Sequence, residues 1–295
     1  MLLPKTYYTI VKGDGDSVGK VLNGELNMSA KDYVALLANE AGLKGAINSM
    51  LEIASIVEAL NEKLSLIPSP AYLATLSRAL MITALKDAHI VRAHLGFVVY
   101  AGGDDILALL PTERALSCVR ALRENYWAGK GGFHVLDKVI VPALMTYGRS
   151  FSLRYSHVMD PMKPEINLTI ELLETKAKKK WNVFNKDTLV ISKGRDQNIA
   201  RLPLQDMKYL DMLEYLWMLL IAGHISSGIS EDYNQLKEAA NYVFADILNY
   251  VLKRNIGRKR EKLVTELQQS LCGLGNRSAE EILINGLRIL RVLPQ

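Results

Sequence analysis

The residues best equipped for chemistry are Asp104 and Asp105, adjacent in the run Tyr100-Ala101-Gly102-Gly103-Asp104-Asp105. Apolar stretches flank them, Phe97-Val98-Val99-Tyr100 before and Ile106-Leu107-Ala108-Leu109-Leu110 after, closed by Pro111. Two strand-like runs around a Gly-Gly pair predict a tight hairpin, because glycine accepts the positive φ such turns need. Two like charges at its tip repel each other and stabilise nothing by themselves. A divalent cation would relieve that repulsion, and hard oxygen ligands suit Mg²⁺ or Mn²⁺.

A second acidic loop ends the β-branched and aromatic run Tyr7-Tyr8-Thr9-Ile10-Val11: Gly13-Asp14-Gly15-Asp16-Ser17-Val18-Gly19-Lys20. Its glycines let the backbone approach a ligand, free amides at Ser17, Val18 and Gly19 could hold phosphate oxygens, and Asp14 and Asp16 could hold an accompanying metal. Either loop alone reads as an ordinary Asp/Gly turn. Jointly they say more. In a ferredoxin-like sheet the first and third strands lie side by side, which brings the Asp14 loop to the Asp104 turn across the intervening chain. Carboxylates gathered on one sheet edge are costly unless metal binds them. Two ions held by shared aspartates are the apparatus of nucleotidyl transfer. A lysine that neutralises a triphosphate completes the set, and Lys178, in the run Lys176 to Lys180, is a candidate.

The elements that must position these groups follow from periodicity. Ser29 with Asp32 predicts a helix start, and Leu43, Ile47, Met50, Ala54, Val57, Leu60 and Leu64 form an apolar helical stripe. Ser69-Pro70 opens another helix with Leu73, Leu76, Leu80 and Leu85 on its core side. A helix over 112–126 follows the hairpin, then a Gly129 to Gly132 loop and strands at 139–141 and 144–146; 147–162 reads as less regular. Ile166, Ile170, Leu173 and Ala177 sit at helical spacing, and Thr188-Leu189-Val190-Ile191 reads as the last strand. From Leu204 only helices are expected: Met207, Leu210, Leu213, Trp217 and Leu220 in one, Leu236, Ala240, Val243, Ile247 and Val251 after Ser230 in another, and a last opened by a Ser278–Glu281 capping box. The division is an α/β (α+β) ferredoxin-like palm over 1–200 and an all-α C-terminal domain over 201–295.

Bulk composition narrows the class. The 295 residues are 49% hydrophobic, enough for a real core. No apolar run reaches the roughly 18 residues of a membrane span, and no secretory pattern opens the chain. Cys118 and Cys272 read as buried thiols in a reducing cytosol, so a cytoplasmic location is expected; His89 and His94 lack partners at metal spacing. Net charge is +5. Basic stretches at 176–195 and 253–262 carry most of the excess, and such clusters attract phosphates.

Tyr100 to Pro111, YAGGDDILALLP, resembles the GGDD palm of the large subunit of type III CRISPR effector complexes. DGDSVGK, Asp14 to Lys20, is similar to the loop after the first strand of that palm. Gly148-Arg149-Ser150-Phe151-Ser152 through His157 and Asp160-Pro161, followed by Ala177-Lys178, resembles the stretch after GGDD, and the helical end resembles the family's C-terminal helical domain. The resemblance implies a palm that binds ATP and two divalent metals and, when target RNA is bound, joins ATP through 3′–5′ linkages into cyclic oligoadenylates with release of pyrophosphate. By motif match, Asp14 and Asp104 would be the main metal ligands and Asp105 and Asp16 supporting ones. The Gly15 carbonyl could also coordinate. Ser17, Val18 and Gly19 amides would cradle phosphates, Lys178 would pair with the triphosphate, and Ser150 and Ser152 would border the nucleotide pocket. Implied partners are the other subunits, crRNA and target RNA, with no membrane. The chain departs from the pattern in having no His-Asp pair at its start, no Cys cluster and one palm, so it looks like the C-terminal portion. Two alternatives stand beside this reading: a catalytically silent nucleotide-binding scaffold subunit, and a GGDEF-type nucleotide cyclase, which would want Glu where Asp105 stands.

Overall fold

The computed structural model describes residues 6–25, 69–126, 133–136, 139–142, 148–180, 186–194, 199–239, 243–256 and 260–290. The helical stripe expected over 43–64, the 129–132 loop and the strand expected at 144–146 lie outside them.

Strand β1 (Tyr7–Gly15) leads into a short helix α1 (Val18–Leu22). Helix α2 (Pro70–Ala93) opens as the Ser-Pro pair predicts: the Ser69 hydroxyl accepts the Tyr72 amide at 3.2 Å, with Pro at the first turn. The hairpin follows, β2 (Phe97–Gly102) and β3 (Asp105–Pro111), then α3 (Ala115–Tyr126). A separate two-stranded ribbon, β4 (Phe133–Leu136) with β5 (Val139–Pro142), precedes β6 (Arg149–His157). Helix α4 (Met162–Leu172) runs into a π-helical turn, Leu173–Ala177, and β7 (Thr188–Lys193) and β8 (Ile199–Pro203) complete the strands. The rest is helical: α5 (Lys208–Ile221), α6 (Ile229–Ala239), α7 (Phe244–Ile256), α8 (Glu261–Gly273), α9 (Asn276–Glu280), a π-helical turn Glu281–Gly286, and α10 (Leu287–Leu290).

The six-stranded sheet has the order β2-β3-β1-β6-β7-β8. β1 lies between β3 and β6, antiparallel to both. This is the expected ferredoxin-like arrangement, extended by β7, parallel to β6 after the α4 crossover, and by the antiparallel edge strand β8. Helices α2 and α3 touch each other and cover one face, while α4 contacts β1 and β6 on the other.

Several sequence expectations need correction. The stretch read as irregular is β6, buried along almost its whole length. Phe151, Leu153 and Tyr155 enter the main core, while Ser150, Ser152, Arg154 and Ser156 are equally buried on the opposite side. There Arg154 donates to Glu165 at 2.7 and 3.1 Å, and Ser156 donates to Glu165 at 2.7 Å. That pairing turns α4 by one position: its buried side is Glu165, Thr169, Leu173 and Ala177, not the stripe through Ile166 and Ile170. On α2, Leu85 is 60% exposed, and Ala79, Ile82 and Val91 do the packing. β8 is one strand beyond the one expected to be last; Arg201 and Pro203 hide it, and edge strands tolerate both. The helix expected over 230–251 is two, and α8 adds a further one. Ser278 does not cap the last helix: α9 starts after Gly275, whose φ is +85°, and Ser278 is buried within it.

Candidate nucleotide site at the end of the sheet

The β1–β3 pairing runs to Gly13 opposite Ile106, so the next residues, Asp14 and Asp105, meet at the same sheet end. In the hairpin the last pair is Gly102 with Asp105, leaving Gly103 and Asp104 as the two-residue loop. Gly103 has φ +63°, the conformation the turn requires at its first position. Lys12 and Asp14 share one face of β1 by strand period, and both reach the acidic pair: Lys12 Nζ lies 2.8 Å from Asp105 Oδ1. Lys178, just past the π-helical turn of α4, pairs with Asp14, and with Glu174 at 2.9 Å.

The electrostatics follow from crowding. Burial, and then the hydrogen bond with Asp105, push the Asp14 carboxyl up to about 7 against the pull of Lys178. Burial also works against ionisation of Asp105, but the hydrogen bond from Asp14 and the Lys12 ammonium outweigh it and hold Asp105 below the usual carboxylate range. Asp104 is raised, by burial first and by Asp105. Lys178 is raised: its partial burial is outweighed by Asp14 and Glu174.

The acidic loop is packed tightly. A Cβ on Gly15 would lie 2.3 Å from the Tyr126 hydroxyl and 2.7 Å from Asp104 Cβ, so only glycine fits where the two loops touch. Ser17 has φ 63° and precedes α1; its hydroxyl accepts from Lys186 Nζ at 3.0 Å. Val18 is buried, and nothing lies within 4 Å of a Cβ placed on Gly19. The Ser17, Val18 and Gly19 amides make no hydrogen bond with another described residue.

Asp16 and Ser150 are placed differently from the open ligand set that the sequence suggests. Asp16 is 3% exposed, and it accepts from Ser150 Oγ at 2.8 and 3.1 Å and from the Asp187 amide at 2.7 Å. Burial raises its carboxyl to about 6 despite those bonds. Ser150 therefore faces Asp16, and the Ser152 hydroxyl is buried without a hydrogen-bond partner among the described residues. Lys12, Lys186, Asp187, Arg123 and Tyr126 were not among the expected site residues. Only Lys12 had a sequence signal, its two-residue spacing from Asp14.

A hard divalent cation fits the chemistry of Asp14, Asp104 and Asp105: all donors are carboxylate oxygens, two are raised toward protonation by their surroundings, and cations already lie against them. Among the described residues, no three acidic, histidine or cysteine side chains are drawn into a ready metal-binding group.

Residues 7–190, more than half the chain, match the family described as Cas10/Cmr2, second palm domain. The chain belongs to that family. It is 28% identical over 232 residues to the CRISPR system CMR subunit Cmr2 of Saccharolobus solfataricus, covering 66% of this chain and 22% of that protein. To the Cmr2 subunit of Pyrococcus furiosus it is 29% identical over 196 residues, covering 64% of this chain and 18% of that one. The chain thus spans about a fifth of the length of these curated relatives. A solved structure, Type III-B Cmr-beta bound to cognate target RNA, superposes with a TM-score of 0.66 at 22% identity, covering 88% of this chain and 36% of that one. The Cas10/Cmr2 palm thus takes in the sheet from β1 to the start of β7, and the likeness of fold to the Cmr-beta structure extends over 88% of the chain. No described helix is long and apolar enough to cross a membrane.

Proposed function

We propose that this chain serves in the large subunit of a type III CRISPR effector complex, in the cytoplasm, with the other subunits, crRNA and target RNA as partners. Its palm binds ATP with two divalent ions, Mg²⁺ or Mn²⁺, and makes cyclic oligoadenylates when target RNA is bound, by 3′–5′ linkage with release of pyrophosphate. The observation that carries this reading is the meeting of Asp14 with Asp105 beside Asp104, with two lysines over them, in a family palm. Asp14, Asp104 and Asp105 would hold the ions. The Ser17, Val18 and Gly19 amides and Lys178 would hold the phosphates, with Lys178 exchanging carboxylate for phosphate. When bound, the ions would supply a lower pKa at the attacking hydroxyl and charge stabilisation at the leaving pyrophosphate. The chain's own part is to orient the nucleotide and concentrate anionic ligands at one sheet end.

The test is incubation with labelled ATP and Mn²⁺, with and without the other subunits and target RNA. Cyclic products and pyrophosphate are expected with the full set. Replacing Asp104 and Asp105 together by Ala should abolish Mn²⁺-dependent ATP binding with the near-ultraviolet circular dichroism kept, because the hairpin tip carries no core packing. Unchanged ATP affinity in that variant overturns the site. Binding without pyrophosphate release in the complete complex favours a silent nucleotide-holding scaffold.

A further inference from the structure

We infer that Asp16 is a positioning residue of this site and not one of its metal ligands, and that Arg123 acts on the site through it. The inference rests on the metal–nucleotide reading above and reassigns one of its acids.

The geometry is a buried bracket. Both Asp16 oxygens accept from protein donors, Ser150 Oγ on β6 and the Asp187 amide at the entrance to β7, and the side chain is shielded from solvent. Its own amide donates to the Gly148 carbonyl at 2.9 Å. Behind it, the Asp187 carboxylate is gripped by Arg123 of α3, Nε and a terminal nitrogen each at 2.6 Å, with 4% and 6% of the two side chains exposed. Gly148 leaves no slack, since a Cβ there would sit 2.1 Å from Asp187 Cγ. A metal ligand must turn an oxygen toward the ion; Asp16 turns both inward.

The backbone shows what the bracket holds. Ser17, Lys186 and Asp187, with φ of 63°, 65° and 50°, are three of the four described non-glycine residues with positive φ. Such conformations persist only where the surroundings over-determine them, and they gather at functional sites. Here Lys186 bonds the Ser17 hydroxyl and Asp187 bonds Asp16, so the strained residues clamp one another. Ser17 begins the row of amides that bond no other described residue. A buried ion pair is by itself weak evidence of stabilisation, because apolar side chains of similar volume often replace one without loss. The planar fork supplies direction.

The test is Mn²⁺ titration of the full chain in the presence of ATP, read by the electron paramagnetic resonance of free and bound Mn²⁺. Asp16→Ala should weaken Mn²⁺ binding about tenfold or more, as losses behind a metal ligand do, while Asp16→Asn, which keeps acceptor and size but not charge, stays within about threefold of the parent. A ligand would need the charge, so equal loss in the two variants overturns the inference, as does no loss in Asp16→Ala. If Asp16→Ala fails to fold, Asp16→Asn decides alone: retained binding supports the bracket and lost binding overturns it. Arg123→Lys, which keeps charge but not the fork, should weaken binding severalfold with little change in melting temperature; unchanged affinity removes Arg123 from the relay. Asp14→Asn is the control for the underlying reading and should lose Mn²⁺ outright. Parent-like binding there overturns the site itself, a result distinct from any produced at Asp16.

Discussion

Asp14 and Asp105 form an unequal pair, one raised to about 7 and the other held low. The inequality has a consequence for stability. A carboxyl raised in the folded state binds its proton more tightly there than in the unfolded chain, so folding is favoured while it is protonated. Its contribution is greatest below the ordinary value of 3.8, declines as pH rises, and is gone above about 7. Asp16, raised to about 6, acts with the same sign. In EDTA the melting temperature should therefore fall between pH 4 and 7, and Asp14→Asn should flatten that fall; a parallel curve in the variant refutes the assignment. Gly15→Ala drives a methyl into the Tyr126 oxygen and Asp104 Cβ, and should cost about 1–3 kcal/mol by urea denaturation, the range for overpacking. Adding Tyr126→Phe removes the nearer obstacle and should recover part of it.

β8 is the sheet's edge, and the helical region closes it. Glu281, in the π-helical turn after α9, accepts the Arg201 amide at 2.9 Å, satisfying one donor that an edge strand would leave open. Burial raises the Glu281 carboxyl, against that bond. Glu281→Ala should speed hydrogen exchange at the Arg201 amide and destabilise the chain by about 1–2 kcal/mol, whereas Glu281→Gln, still an acceptor, should keep most of the protection. Exchange unchanged in the Ala variant would show that the bond does not protect the edge. The same contact explains why Ser278 and Glu281 read as a capping box: the spacing is right, but Glu281 is engaged by another element. β6 was hidden for a related reason. Its two-residue alternation is present, but the polar side is buried against Glu165 instead of facing water, so it lacks the contrast of a half-exposed strand.

Among the described residues, the main hydrophobic core joins the sheet to the helices that follow it. Val11, Ile106, Leu153 and Leu202 of the sheet share it with Leu122 of α3 and with Leu213, Leu248, Leu267 and Leu290 of the later helices. The change of character near residue 200 is thus a change of secondary structure within a continuous core. A chain ending after Pro203 would expose the core side met by Leu210, Leu213 and Leu216. It should lose its near-ultraviolet circular dichroism signal and associate on size-exclusion chromatography. A monomeric, cooperatively melting fragment would instead support two separable domains with a boundary near 200.

What the amino-acid sequence determined by itself is local: the GGDD hairpin, the Gly-rich acidic loop, the Ser69-Pro70 helix start and the loss of strands after β8. Each is encoded within a few neighbouring residues, as turn chemistry, capping or period. The pairing of the two acidic loops was legible because a hairpin joined to a helix–strand unit admits few sheet orders. The fate of individual polar side chains was decided by tertiary structure. Asp16 is held by Ser150 and Asp187, 134 and 171 residues away, and Arg123 reaches Asp187 across 64. An aspartate in a Gly-rich loop can face an ion or a buried donor equally well. Which it faces depends on the strands that come to lie beside it, because only burial makes an unsatisfied carboxylate costly enough to demand those partners.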